Sequence, residues 1–139
     1  MMQLDFVETI TAVDMEQIVG GLNEANGGKV PAYDKRPLNI LSHDENGNLV
    51  GGLVGSTHWG WLYTKLLWVD PSQRGTGLGR QLMAAAEAEA QKRGCHAAYV
   101  NTFSFQAPEF YRKCGYEVWG ELADYPVGET RIYLWKKLV

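Results

Sequence analysis

The stretch Leu66-Leu67-Trp68-Val69-Asp70-Pro71-Ser72-Gln73-Arg74-Gly75-Thr76-Gly77-Leu78-Gly79-Arg80 limits what this chain can fold into more than any other. An apolar strand pattern runs into a polar turn, then into a glycine-rich loop with an arginine, and a helix opens straight from it. A helix N-terminus leaves backbone N–H groups without partners and carries partial positive charge. Glycines let those groups approach a phosphate without a Cβ in the way. The order strand, glycine loop, helix therefore predicts a pyrophosphate cradle in the middle of an α/β domain.

Spacing decides between the known cradles. A Walker loop needs a second glycine five residues after its first and then a Lys-Ser or Lys-Thr pair, where this chain has Arg80 and then Gln81-Leu82. The dinucleotide fingerprint needs G-x-G-x-x-G, whereas Gly75, Gly77 and Gly79 give G-x-G-x-G. A dinucleotide domain also ends its next strand on an acidic residue. Here the strand near Ala97 to Val100 runs into Asn101 and Thr102.

The pattern [QR]-x-x-G-x-[GA] does fit, at Arg74, Gly77 and Gly79. Downstream, Ala107-Pro108-Glu109-Phe110-Tyr111-Arg112-Lys113-Cys114-Gly115-Tyr116 reads A-x-x-F-Y-x-x-x-G-[FY]. One long helix and one strand separate the two motifs. In these motifs, their order and their spacing the chain resembles the GNAT superfamily of N-acetyltransferases, and in particular its small bacterial members. The resemblance spans nearly the whole chain. It implies a single domain over residues 1–139, of class α/β (α+β), with a mixed, mostly antiparallel sheet flanked by helices. The element order it matches is β-α-β-β-β-α-β-α-β-β.

The local signals agree with that order. Thr11 and Asp14 resemble a capping box ahead of Met15, Ile18, Val19 and Leu22 on one helical face. Asn46-Gly47 supplies a hairpin turn, because both residues tolerate positive φ. Gly51, Gly52 and Gly55 in the returning strand mark bulges or close backbone approach. Leu78, Leu82, Ala86 and Ala90 recur at four-residue steps in a helix that Gly94 stops. The connection 123–129 between the closing strands is a loop by its Pro126 and Gly128.

Composition narrows the function classes. A chain of 139 residues holds one sizeable core, and a formal net charge of -3 argues against a general nucleic-acid surface. A slight acidic excess suits amine substrates. Met1-Met2-Gln3-Leu4-Asp5 lacks the basic and apolar regions of a signal peptide, and no apolar run reaches membrane-spanning length. Cys95 and Cys114 make no disulfide framework and have no metal-ligand spacing with a histidine. A cytoplasmic protein without a metal and without a nucleic-acid partner is expected, and family members often form homodimers.

The resemblance also implies roles. Acetyl-CoA is the expected co-substrate and a small-molecule amine the expected acceptor. The pantetheine arm would lie along Leu67, Trp68 and Val69, with a backbone N–H there as oxyanion donor. Arg74, Gly75, Thr76, Gly77, Leu78 and Gly79 would hold the pyrophosphate, and Arg80 would add side-chain charge. Tyr111 matches the tyrosine that protonates the leaving thiolate. A phenol of pKa ~10 and a thiol of ~8.5 can share a proton only if hydrogen bonding tunes them together. The family's pantetheine-binding asparagine is replaced here by Ser104, and Asn101, at the strand end, is a candidate to compensate. His58, at the end of a strand, is the candidate base. Asp124 and Tyr125 are candidates for the acceptor mouth, and Trp59, Trp61 and Tyr63 for an aromatic acceptor wall, a core face or a dimer contact. Two rival readings stand beside the enzyme: a non-catalytic acyl-CoA-binding regulatory module, and an acetylase of charged tRNA, which the net acidity opposes.

Overall fold

The computed structural model describes residues 1–139, which form two compact units, Met1–Tyr33 and Asp34–Val139. The first contains one helix, α1 (Ala12–Asn26). Thr11 caps it as its sequence suggests, the side chain accepting from Asp14 N at 3.1 Å. The strand expected ahead of α1 is absent. Leu4 and Phe6 alternate, but Val7 breaks the period, and so few residues in register do not make a strand by themselves.

The second unit runs β1 (Arg36–His43), β2 (Leu49–His58), β3 (Trp61–Val69), α2 (Leu78–Lys92), β4 (Ala97–Phe103), α3 (Pro108–Lys113), β5 (Glu117–Ala123) and β6 (Thr130–Lys137). The strands form one sheet in the order β1-β2-β3-β4-β6-β5. Only β3 and β4 are parallel, joined through α2 as a parallel pair requires. The mixed sheet and its helices are those expected, less the leading strand.

Two local devices fix the register. Gly47 sits at φ 82 in the β1–β2 turn, and Asp44 Oδ1 accepts from Asn46 N and Asn48 N at 2.9 Å each. Gly55 is a bulge partner: Val54 pairs with Leu66 and Gly55 with Thr64, which leaves Lys65 unopposed. A Cβ on Gly55 would lie 2.4 Å from the Tyr63 carbonyl oxygen, so the close approach needs glycine.

Alternation along the central strands divides the sheet into two faces. Leu62 and Thr64, Ala98 and Val100, and Ile132 and Leu134 are buried. The apolar ones pack with Leu82, Met83, Ala86 and Ala90 of α2 and with Tyr111 of α3 in one core. The other face is half-buried and aromatic. Tyr63 stacks on Tyr99 with ring centres 4.7 Å apart, and Trp61 meets Trp135 at 6.1 Å.

Candidate active site

The pairing of β3 with β4 stops early. It covers Trp61↔Ala97 through Thr64↔Val100 and nothing beyond. The bulge residue Lys65 follows at once, so the kink in β3 coincides with the point where the strands part. Past it, the backbone of 65–69 on the β4 side and of 101–103 on the β3 side face each other across a gap. The hydroxyl of Thr64, on the last rung, is buried and has no hydrogen-bond partner.

This fork is the floor of a cleft of about 700 Å³ lined by Leu67, Trp68 and Val69 from β3, Asn101 and Thr102 from β4, and Phe110 and Tyr111 from α3. A second cleft of about 630 Å³ is lined by residues 73–80 together with Val69 and Phe110. The two share Val69, Arg74, Gly79 and Phe110, so they run into one another.

The second cleft is built by the glycine loop. Asp70 caps the short 3₁₀ turn Pro71–Gln73, accepting from Ser72 N at 3.0 Å. A second hydrogen bond, donated by the Ser72 hydroxyl to the same oxygen, acts with that of the N–H to hold the Asp70 carboxyl below the ordinary range. Gly75 and Gly77 have φ of 80 and 86, and an added Cβ at either would meet nothing within 4 Å. Gly77 is the N-cap of α2, and no side chain caps that helix end. No acidic residue stands in its first turn. The N–H groups there keep their charge and face open space, which is what an anion needs. Gly79 serves a different end: its position lets the Phe110 ring come to 3.3 Å of where a Cβ would be, closing α3 onto α2.

Tyr111 lies at the back of the first cleft, 9% exposed. Burial pushes its phenol up to about 12, with a smaller contribution from the Cys114 thiol. The shift runs away from the thiol range, so it does not supply the tuning that easy proton sharing requires.

All of the expected loop and strand residues border the joined clefts: Leu67, Trp68 and Val69, then Arg74 through Arg80. Ser104 does not. Its hydroxyl donates to Glu129 Oε2 and accepts from Thr130 N at 2.9 Å, which ties it to the start of β6. Gln106, two residues on, does line the cleft, and its Oε1 accepts from Thr102 Oγ1 at 3.1 Å. His58 is also elsewhere. It stacks on Trp59 at the closed end of the β2–β3 hairpin, four residues of β3 and about 13 Å of strand from the fork. Neither cleft is lined by a carboxylate or a histidine. Trp59 lies in that turn with φ 46, while Trp61 and Tyr63 lie on the aromatic face. No group of three His, Cys, Asp or Glu side chains is placed to hold a metal ion. No helix is long and apolar enough to cross a membrane.

Asn101 borders the first cleft. It follows Val100, the last residue of β4 that pairs with β3, and its amide joins both flanking strands. Nδ2 donates to Tyr63 Oη at 3.3 Å, and Oδ1 accepts from Arg131 Nη2 at 2.7 Å and Nε at 3.1 Å.

Comparison with known proteins agrees with this geometry. The family model described as Acetyltransferase (GNAT) family matches residues 10–116. A blasticidin-S acetyltransferase from Streptomyces morookaense is 45% identical over 114 residues, 79% of this chain and 84% of the relative. An acetyltransferase from Agrobacterium fabrum is 41% identical over 104 residues, 75% of this chain and 76% of that one. The crystal structure of an acetyltransferase from Bacillus cereus superposes with a TM-score of 0.83 at 31% identity, covering 96% of this chain and 97% of the other.

Proposed function

This chain belongs to the acetyltransferase (GNAT) family, and on that premise we propose that it acetylates the primary amine of a small molecule with acetyl-CoA, by direct attack with both substrates bound. The observation that carries the reading is the continuity of two clefts of different chemistry. One ends on the uncapped, glycine-lined N-terminus of α2, and the other on a parted strand pair with a buried phenol behind it. A diphosphate suits the first, and a narrow amide-bearing chain suits the second. The extended arm of such a substrate pairs with backbone groups of Leu67, Trp68 and Val69 as an added strand would.

Acetyl-CoA supplies an activated acetyl group as a thioester. The N–H groups of Gly75 and of residues 77–80 hold its diphosphate, that of Thr76 being donated to the Gln73 carbonyl, and Arg74 and Arg80 add charge. An N–H of β3 on the open side of the fork faces the carbonyl oxygen and stabilises the negative charge that develops on it. An ammonium acceptor gives its first proton to water, since the clefts carry no carboxylate or histidine to take it. The amine nitrogen bonds the carbonyl carbon, the C–S bond breaks, and the nitrogen loses its second proton to solvent. The sulfur leaves with the C–S electron pair and ends as a thiol. Tyr111 donates a hydrogen bond to that sulfur. Burial keeps the phenol protonated, at about 12, and so able to donate to that sulfur, with the thiol proton coming ultimately from solvent.

The test is thiol release from acetyl-CoA across polyamines, aminoglycosides, amino acids and peptide N-termini. Release with at least one amine supports the reading. Tight acetyl-CoA binding with no release for any amine makes the protein a non-catalytic acyl-CoA-binding module instead. Failure to bind acetyl-CoA overturns both.

A further inference from the structure

The face of the sheet opposite α2 and α3 holds a cation that the transfer chemistry does not use. Arg131, on β6, is half-buried, yet no carboxylate lies within ion-pair distance of it. The half-buried Arg93 and Lys136, by contrast, pair with Glu89 and Glu87. Glu129, two residues before Arg131, is instead held by the Ser104 hydroxyl.

The partners of Arg131 are neutral. Nε and Nη2 donate to Asn101 Oδ1, and Nη1 donates to Tyr125 Oη at 2.8 Å. Its Cζ lies 5.0 Å from the Tyr125 ring centre, 5.4 Å from Phe103 and 5.5 Å from Tyr133. A guanidinium carries five N–H donors, so three engaged here leave two for a ligand. The rings and the Asn101 amide hold the guanidinium still and lower the local dielectric without neutralising it. That arrangement strengthens its attraction for an anion, and the planar N–H pair fits a carboxylate. Asn101 links it to the reacting end of the cleft, because the same amide stands at the fork.

We infer that Arg131 is the specificity-determining residue of the acceptor site and that the acceptor is a small amine that also carries a carboxylate. The carboxylate docks on Arg131, and Phe103 and Tyr125 flank the body that joins it to the amine. The inference rests on the acetyltransferase reading above for the amine, but not for the carboxylate.

The experiment compares two carboxylated amines of different reach, L-phenylalanine and 4-(aminomethyl)benzoate, each with its carboxamide. Affinity is measured by calorimetry on the full chain loaded with coenzyme A, and kcat/KM by thiol release. Wild type is expected to prefer at least one acid over its amide by about tenfold or more, the range for a charge-assisted pair. Arg131→Gln should reduce that ratio to near one through loss of the acid alone. Acetyl-CoA affinity should stay within about twofold, which also shows that the variant is folded. Arg131→Lys, which keeps the charge and loses the planar pair, should fall between. Equal affinity of acid and amide in wild type, or an unchanged ratio in Arg131→Gln, overturns the inference. Arg131-dependent binding of an acid without thiol release leaves the carboxylate site standing and overturns the transferase reading instead.

Discussion

Placing a negative charge at the N-cap of α2 separates a phosphate cradle from a turn that merely connects β3 to a helix. Gly77 is exposed, sits at φ 86 and ψ 7, and leaves open space where a Cβ would go. Asn and Asp are the residues that best tolerate positive φ, so Gly77→Asn and Gly77→Asp share one backbone cost of about 1 kcal/mol and create no clash. They differ only in charge. In the protein without ligand, Asp favours the helix dipole by roughly 0.3–1 kcal/mol, so Gly77→Asp should melt no lower than Gly77→Asn. Towards a bound diphosphate the sign reverses. Two ligand charges at about 5 Å in a water-like dielectric cost about 1.6 kcal/mol at low salt, or more than tenfold in Kd. A Debye length of about 8 Å at 0.15 M reduces this to roughly fivefold. Calorimetric titration of acetyl-CoA at about 20 mM and 150 mM salt, beside melting curves, reads both effects. Equal affinity of the Asn and Asp variants at low salt would refute the placement of the diphosphate on α2.

Tyr111→Phe should lower kcat by about tenfold or more while leaving acetyl-CoA affinity within twofold, as single-turnover and binding measurements can show. Because burial pushes the phenol up to about 12, it stays protonated and imposes no falling alkaline limb near pH ~10; such a limb, abolished by Tyr111→Phe, would contradict the burial. Gly55→Ala forces a Cβ onto the Tyr63 carbonyl, 2.4 Å away, and should cost about 1–3 kcal/mol, seen as a Tm lower by several degrees. Asp70 has a depressed folded pKa, so its contribution is present above the usual carboxylate value and lost as pH falls through the lower one. The Tm difference between wild type and Asp70→Asn should therefore shrink as pH drops below about 4, and a constant difference would contradict the role of the Ser72 hydrogen bonds.

What the sequence makes legible here is whatever depends on neighbours along the chain. The glycine loop, the ends of α2, the Asn46-Gly47 turn and the bulge at Gly55 all follow from backbone constraints carried by one or two residues. The strand expected before α1 fails because Leu4 and Phe6 satisfy a local period that nothing in their own unit completes. Ser104 and Gln106 show a finer limit. Both lie in one short connection, and only the pull of Glu129 and Thr130 on the serine hydroxyl decides which of them turns to the cleft. His58 was plausible as a strand end, but strand ends come in two kinds, and the hairpin places this one away from the fork. The Tyr63–Asn101–Arg131 chain of contacts is invisible in one dimension, since its neighbouring members are 38 and 30 residues apart and meet only through sheet order.

The parting of β3 and β4 also gives this sheet an edge in its interior. Its two outer edges carry the usual deterrents to association. β1 begins with Arg36-Pro37, and β5 has an irregular register near Gly120 and charges at Glu117 and Glu121. The inner edge carries apolar, exposed Leu66 and Trp68 and only Lys65 as a charge. Its protection is width: β4 stands opposite, so a second sheet cannot dock there, and only a single extended chain can enter. Any substitution that spreads the two strands should therefore increase self-association as well as lower activity. On that view the gap is kept narrow for colloidal reasons as much as chemical ones.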